Sequence, residues 1–102
     1  MKPRPTRTNM PLKWPLGLYR VAGESMLPTY QPGDLLLGWR WFRPRPGRVV
    51  VAWRQQPLIK RIIRLTPDGV WLEGDNTAAS TDSRSFGPVE VGRLEAVIIS
   101  KL

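Results

Sequence analysis

The sequence predicts an all-β fold, a small and mostly antiparallel coiled sheet or barrel, and three observations support that class. Short runs rich in Val, Ile, Leu and Trp are separated by Pro, Gly and Asp turn signals. No stretch keeps an i, i+3, i+4 apolar spacing long enough for a helix. A length of 102 residues at 41% hydrophobic content suits one domain with a modest core.

Residues 1–15 hold four prolines and four bases without apolar periodicity, so they read as a flexible basic arm, with the folded core expected over 16–102. The first strand is expected over 18–22. Residues 25–30 suit a single helical turn that Pro32 stops, with Ser25 able to cap it. The turn Gln31-Pro32-Gly33-Asp34 leads into a strand over 35–41, and Arg45-Pro46-Gly47 leads into one over 48–53. Strands over 58–65 and 70–73 flank Thr66-Pro67-Asp68-Gly69, where proline presets φ and glycine is free to take positive φ, so a hairpin is expected. A closing strand over 94–100 follows Gly92. Between them, residues 73–88 form a polar segment too long for a simple turn, with an Asx-type turn expected at Gly74-Asp75-Asn76.

The chain has no cysteine and no histidine. That removes disulfides, thiolate chemistry, the commonest metal ligand and the usual general base, so no metal or cofactor is expected. No apolar run approaches the roughly 18 residues of a membrane span. The basic N-terminus is interrupted by Pro11, Lys13 and Pro15, which makes a poor secretory signal, and a cytoplasmic location is expected. Of the net charge of +8, residues 35–67 supply eight bases and no acid. Such a basic half suits an anionic partner. One alternative is a nucleic-acid-binding module using Arg40, Arg43, Arg45 and Arg48 with Trp39, Trp41 and Trp53, although in so small a domain the tryptophans are expected mainly in the core or an interface, and nucleic acid is not the expected partner. Another is peripheral contact with an anionic membrane through Trp14, Leu16, Leu18 and Tyr19.

With histidine absent, a serine hydroxyl must find its base in a lysine or a carboxylate. Three of the four lysines, Lys2, Lys13 and Lys101, lie near an end of the chain. Lys60 instead sits within Leu58-Ile59-Lys60-Arg61-Ile62, where strand alternation puts it on the face of Leu58 and Ile62. Burial there lowers an amine's pKa toward the range in which it can accept a proton, while a stem packed on the core with the amine in water is the structural alternative. Ser25, within Gly23-Glu24-Ser25-Met26-Leu27, lacks the second glycine of a Gly-x-Ser-x-Gly elbow and by itself reads as a turn residue.

Three segments in order resemble the type I signal peptidase family and its soluble relatives, which share a fold with the self-cleaving domains of LexA-type repressors. Residues 21–29 with Pro32-Gly33-Asp34 look like the nucleophile segment, Lys60-Arg61 like the general-base segment, and Gly74-Asp75-Asn76, Ser80, Asp82-Ser83-Arg84 and Phe86-Gly87 like the third. The resemblance implies a serine endopeptidase with Ser25 as nucleophile, Lys60 as general base, Ser80 orienting the amine and an Asp82–Arg84 ion pair in support. It also implies an oxyanion donor in the Ser25 backbone N–H, with Gly23 where other members carry an additional hydroxyl donor, and substrate contacts at Met26 and Pro28. The expected partner is a precursor whose N-terminal leader is cut after a small residue. The membrane anchor of some members has no counterpart, so action at a translocation pore is not expected. The segment 73–89 looks most like maturation proteases of nickel-type superoxide dismutase. A self-cleaving regulator of the LexA type is the further alternative, and the sequence leaves the oligomeric state open.

Overall fold

The structure, a computed structural model, describes residues 14–102. The arm expected over 1–15 lies almost wholly outside the described residues. Among these, strands β1 (Leu16–Arg20), β2 (Leu35–Trp39), β3 (Val49–Trp53), β4 (Pro57–Thr66), β5 (Gly69–Glu73) and β6 (Leu94–Lys101) form one sheet in the order β1-β2-β6-β3-β4-β5. Every neighbouring pair is antiparallel, so the all-β class holds. Consecutive strands make the hairpins at both ends, and the last strand closes the sheet between β2 and β3.

The first strand begins and ends two residues earlier than expected. Its register is set by β2, from Leu16 opposite Trp39 to Arg20 opposite Leu35. Val21 is already taken up by the following turn, donating to Asp34 O at 2.9 Å and accepting from Gly33 N–H at 2.8 Å. The β4–β5 hairpin turns at Pro67-Asp68 as expected, and Gly69 takes φ 138°. A Cβ at Gly69 would overlap the backbone carbonyl of Val89, because Val89 bridges Val70 across the end of the hairpin.

β3 explains the core. Val49, Val50, Val51 and Ala52 are all buried, which a continuous apolar run permits and an alternating one does not. Val50 and Ala52 pack with Ile62, Val70, Leu72, Val89 and Val97 on one side; Val49 and Val51 pack with Val21, Met26, Leu36 and Ile98 on the other. Each of the Val, Leu, Ile and Met side chains among them contributes roughly 1.5–3 kcal/mol on removal from water. Of the tryptophans, Trp39 packs against the first of these groups from its edge, and none is fully buried. Trp14, Trp41 and Trp53 are exposed, and Trp39 and Trp71 are half-buried, because aliphatic residues already fill both sides of β3.

The polar segment after β5 is more ordered than a plain loop. A 3-10 turn spans Thr77–Ala79, and a single helical turn, α1 (Ser83–Phe86), follows. Asp82 caps α1 by accepting from the Arg84 backbone N–H at 3.2 Å. The expected Asx-type turn at Gly74-Asp75-Asn76 is replaced by tertiary pairing, since the Asp75 carboxylate is engaged by Arg61 and Thr29.

Candidate active site

A cleft of about 490 Å³ is lined by the end of β1, the loop 21–26, the first half of β4, and Ala79 and Thr81. Both Ser25 and Lys60 line it. Ser25 is half-buried, and its position follows from its neighbours: Met26 is sunk in the core at 1% exposure, and one turn is closed by Leu27 N–H to Glu24 O (3.2 Å) and Tyr30 N–H to Met26 O (3.0 Å). Ser25 is therefore presented at the rim of the cleft by an anchored turn and does not cap a helix. Gly23, also on the cleft, holds φ 75°. Met26 borders the cleft from within the core, whereas Pro28 is exposed and outside the residues lining it.

Lys60 pairs with Val50 across β3–β4, and alternation sets it between Leu58 and Ile62, which is the arrangement expected from the sequence. It is only 5% exposed. Burial lowers its pKa below that of an ordinary lysine; the Asp82 charge pulls it back up, and the Arg84 charge opposes that.

The Lys60 Nζ donates to Ser80 Oγ at 3.2 Å. Ser80 donates its own proton to Asp82 Oδ2 at 2.6 Å and also accepts from Gly74 N–H at 3.2 Å. Its one proton being committed, Ser80 can only accept from the lysine, which fixes the polarity of the chain. Asp82, 1% exposed, is held in turn by Arg84 Nε at 3.0 Å, Arg84 Nη2 at 2.6 Å and Gly74 N–H at 2.9 Å. Burial opposes its ionisation, but the hydrogen bonds from Arg84, Ser80 and Gly74 outweigh that and hold its carboxyl well below the usual range. Gly74 is required by this packing: a Cβ there would overlap Ser80 Oγ and lie 2.6 Å from Ser25 O.

A second network joins the same three segments, and the sequence did not reveal it. Asp75 accepts from Arg61 Nε (2.9 Å), Arg61 Nη2 (2.8 Å) and Thr29 Oγ1 (2.6 Å), while Arg61 Nη1 donates to Gly47 O at 2.7 Å. The Arg61 hydrogen bond is the main cause of a lowered Asp75 pKa. Asn76 donates from its backbone to Ser25 O at 2.7 Å and from Nδ2 to Glu24 O at 3.0 Å. The one signal for these contacts was adjacency: Arg61 follows Lys60, and Asp75-Asn76 follows Gly74.

Thus Ser25 and Lys60 share one cleft, and Ser80, Asp82 and Arg84 form a single hydrogen-bonded chain behind the amine. A hydroxyl and a buried amine of lowered pKa lining one cleft are groups from which covalent acyl chemistry can be built without histidine. Among the described residues no group of acidic, cysteine or histidine side chains is arranged to hold a metal ion.

A family model described as Peptidase S24-like matches residues 7–91. Mitochondrial inner membrane protease subunit 2 of Mus musculus is 35% identical over 107 residues, covering 76% of this chain and 61% of that protein. Subunit 1 of Homo sapiens is 30% identical over 114 residues, covering 84% and 69%, and subunit 1 of Schizosaccharomyces pombe is 34% identical over 111 residues, covering 80% and 70%. The chain thus spans 61% to 70% of these relatives' own lengths.

Proposed function

The chain belongs to the Peptidase S24-like family, and from that premise we propose that it is a serine endopeptidase that removes an N-terminal leader from a precursor protein. The observation that carries the reading is the buried Lys60 amine, hydrogen-bonded to Ser80 and lining the same cleft as Ser25.

In this mechanism neutral Lys60 takes the Ser25 Oγ proton as Oγ attacks the scissile carbonyl, and the oxyanion is held by the Ser25 backbone N–H. Collapse breaks the C–N bond, and the amine of the mature protein leaves with the proton from Lys60. The leader remains as an ester on Ser25. Lys60 then deprotonates a water that attacks this ester, releasing the leader's carboxylate and regenerating the serine. Ser80 orients the amine throughout, and the Asp82–Arg84 pair holds Ser80. The mitochondrial relatives are named as membrane proteases, in keeping with processing of precursors. The finer substrate we propose is the precursor of a nickel-type superoxide dismutase, on the likeness of segment 73–89. We also include peripheral contact with an anionic membrane, supported by exposed Trp14, Leu16 and Leu18 and the net charge of +8.

The test is incubation of the full chain with a leader-bearing nickel superoxide dismutase precursor, read by intact mass, beside Ser25→Ala and Lys60→Met. The expected outcome is one defined cut by the wild type and none by either variant. Equal cleavage by all three would overturn the Ser–Lys reading; inactivity of all three on this precursor, with cleavage of other leader peptides by the wild type alone, would overturn the substrate.

A further inference from the structure

We infer that Asn76 is a positioning residue for the oxyanion donor: its two hydrogen bonds aim the Ser25 backbone N–H into the cleft. The inference rests on the proposed role of that N–H and goes beyond it.

The geometry is that of a single peptide unit. The Glu24 C=O and the Ser25 N–H belong to the same planar amide, which in the trans form points them in opposite directions. Asn76 Nδ2 donates to Glu24 O at 3.0 Å, so the side-chain amide fixes one end of the unit and thereby the direction of the other. The next carbonyl, Ser25 O, is fixed by the Asn76 backbone N–H at 2.7 Å. One residue therefore grips the carbonyls on both sides of Ser25 Cα, and rotation of either peptide about the serine must break a hydrogen bond. Donation to Glu24 O also polarises that amide, which makes the Ser25 N–H a better donor to a developing negative charge.

Asn76 can do this because its own backbone is held. Asp75, its neighbour, is clamped by Arg61 and Thr29, and Gly74 is pinned by Ser80 and Asp82. The same short strip thus connects the lysine's support to the serine's peptide. Loss of the side-chain donor leaves the backbone bond to Ser25 O in place, so the two contributions can be separated by substitution. The isosteric change Asn76→Asp is the more severe test, since it replaces a donor with an acceptor facing Glu24 O.

The experiment measures kcat and KM on an internally quenched peptide carrying alanine before the cut, and the affinity of a peptide boronate, whose tetrahedral anion occupies the oxyanion position. Wild type, Asn76→Asp, Asn76→Ala and Ser25→Ala are compared as full chains. The expected result is a fall in kcat of roughly 10- to 100-fold for Asn76→Asp and a smaller fall for Asn76→Ala, with KM within about 2-fold and boronate affinity weakening in step with kcat. Asn76→Ala keeps the test decisive if Asn76→Asp fails to fold. Wild-type kcat and boronate affinity in Asn76→Ala, with Ser25→Ala inactive, would overturn the inference alone. A fall in kcat without weaker boronate binding would also overturn it, as that is the mark of a structural role. Full activity in Ser25→Ala would instead overturn the underlying reading.

Discussion

At the scale of single residues, Arg84 illustrates how a charge that need not touch substrate can set the pH at which the cleft works. Asp82 raises the pKa of Lys60 and Arg84 lowers it, while burial lowers it most. Arg84→Gln removes the counter-charge, leaves Asp82 facing the amine and therefore moves the Lys60 pKa upward. Since the proposed base is the neutral amine, the rising limb of kcat/KM against pH should move to more alkaline pH. Activity should fall roughly 3- to 10-fold at pH 7 and recover at pH 10. A limb that stays in place, or moves to lower pH, would separate Arg84 from Lys60. Ser25, Lys60, Ser80, Asp82 and Arg84 were named from the sequence through the resemblance of three ordered segments, and the structure links Lys60, Ser80, Asp82 and Arg84 by hydrogen bonds with Ser25 on the same cleft. Thr29, Arg61, Asp75 and Asn76 were not assigned, because their partners lie 14 to 52 residues away and nothing in local spacing reports a contact of that range.

At the scale of elements, β4 carries opposed demands: its pairing with β3 supplies the core, yet it buries an amine whose charged form water would favour up to about pH 10.5. The lowered pKa means that the unfolded chain binds the extra proton more tightly than the fold does. The resulting penalty to the fold is full below the folded pKa and shrinks as pH rises through it toward 10.5. Lys60→Met, which leaves Ser80 its bonds to Asp82 and Gly74, should therefore raise Tm at pH 7, on the order of 5 °C, with the gap narrowing as pH approaches 10.5. A Tm at or below that of the wild type at pH 7 would mean that burial of Lys60 carries no cost to the fold. The strands were legible to within two residues, since turn chemistry and apolar runs are local. The first strand's bounds were displaced because pairing with β2 fixed them, and α1 was missed because a four-residue helix rests on one cap, at Asp82, and has no periodicity to read.

At the scale of the whole molecule, the proposed contact with an anionic surface rests on charge and exposed apolar side chains, and the two ingredients make distinguishable demands. Leu16 and Leu18 pair with Trp39 and Leu37, which places those four side chains on one face of the β1–β2 hairpin, and Leu16 and Leu18 are 44% and 62% exposed. Trp41, 64% exposed, borders a concavity that also includes Arg43, Arg45 and Arg48. Aromatic and aliphatic side chains rimmed by arginines suit the boundary between lipid headgroups and acyl chains. Among the described residues no helix is long and apolar enough to cross a membrane, so contact of this kind would rest on the sheet and its loops. The exposure of Trp41 and Trp53 was not legible, because a tryptophan's identity does not say which side of a filled core it meets. If both ingredients act, the full chain should co-sediment with phosphatidylserine-containing vesicles at low salt and not with neutral ones. Raising ionic strength from about 0.05 to 0.5 M should release most of it, because each basic residue near the surface is worth about 1 kcal/mol and screening removes that attraction. A Trp41→Ser, Leu16→Ser pair, both outside the cleft that holds Ser25 and Lys60, should weaken binding roughly 10-fold at low salt while leaving cleavage of a soluble peptide unchanged. Undiminished binding by that variant would reduce the contact to charge alone, and absence of sedimentation by the wild type at low salt would remove the membrane from the account of this protein.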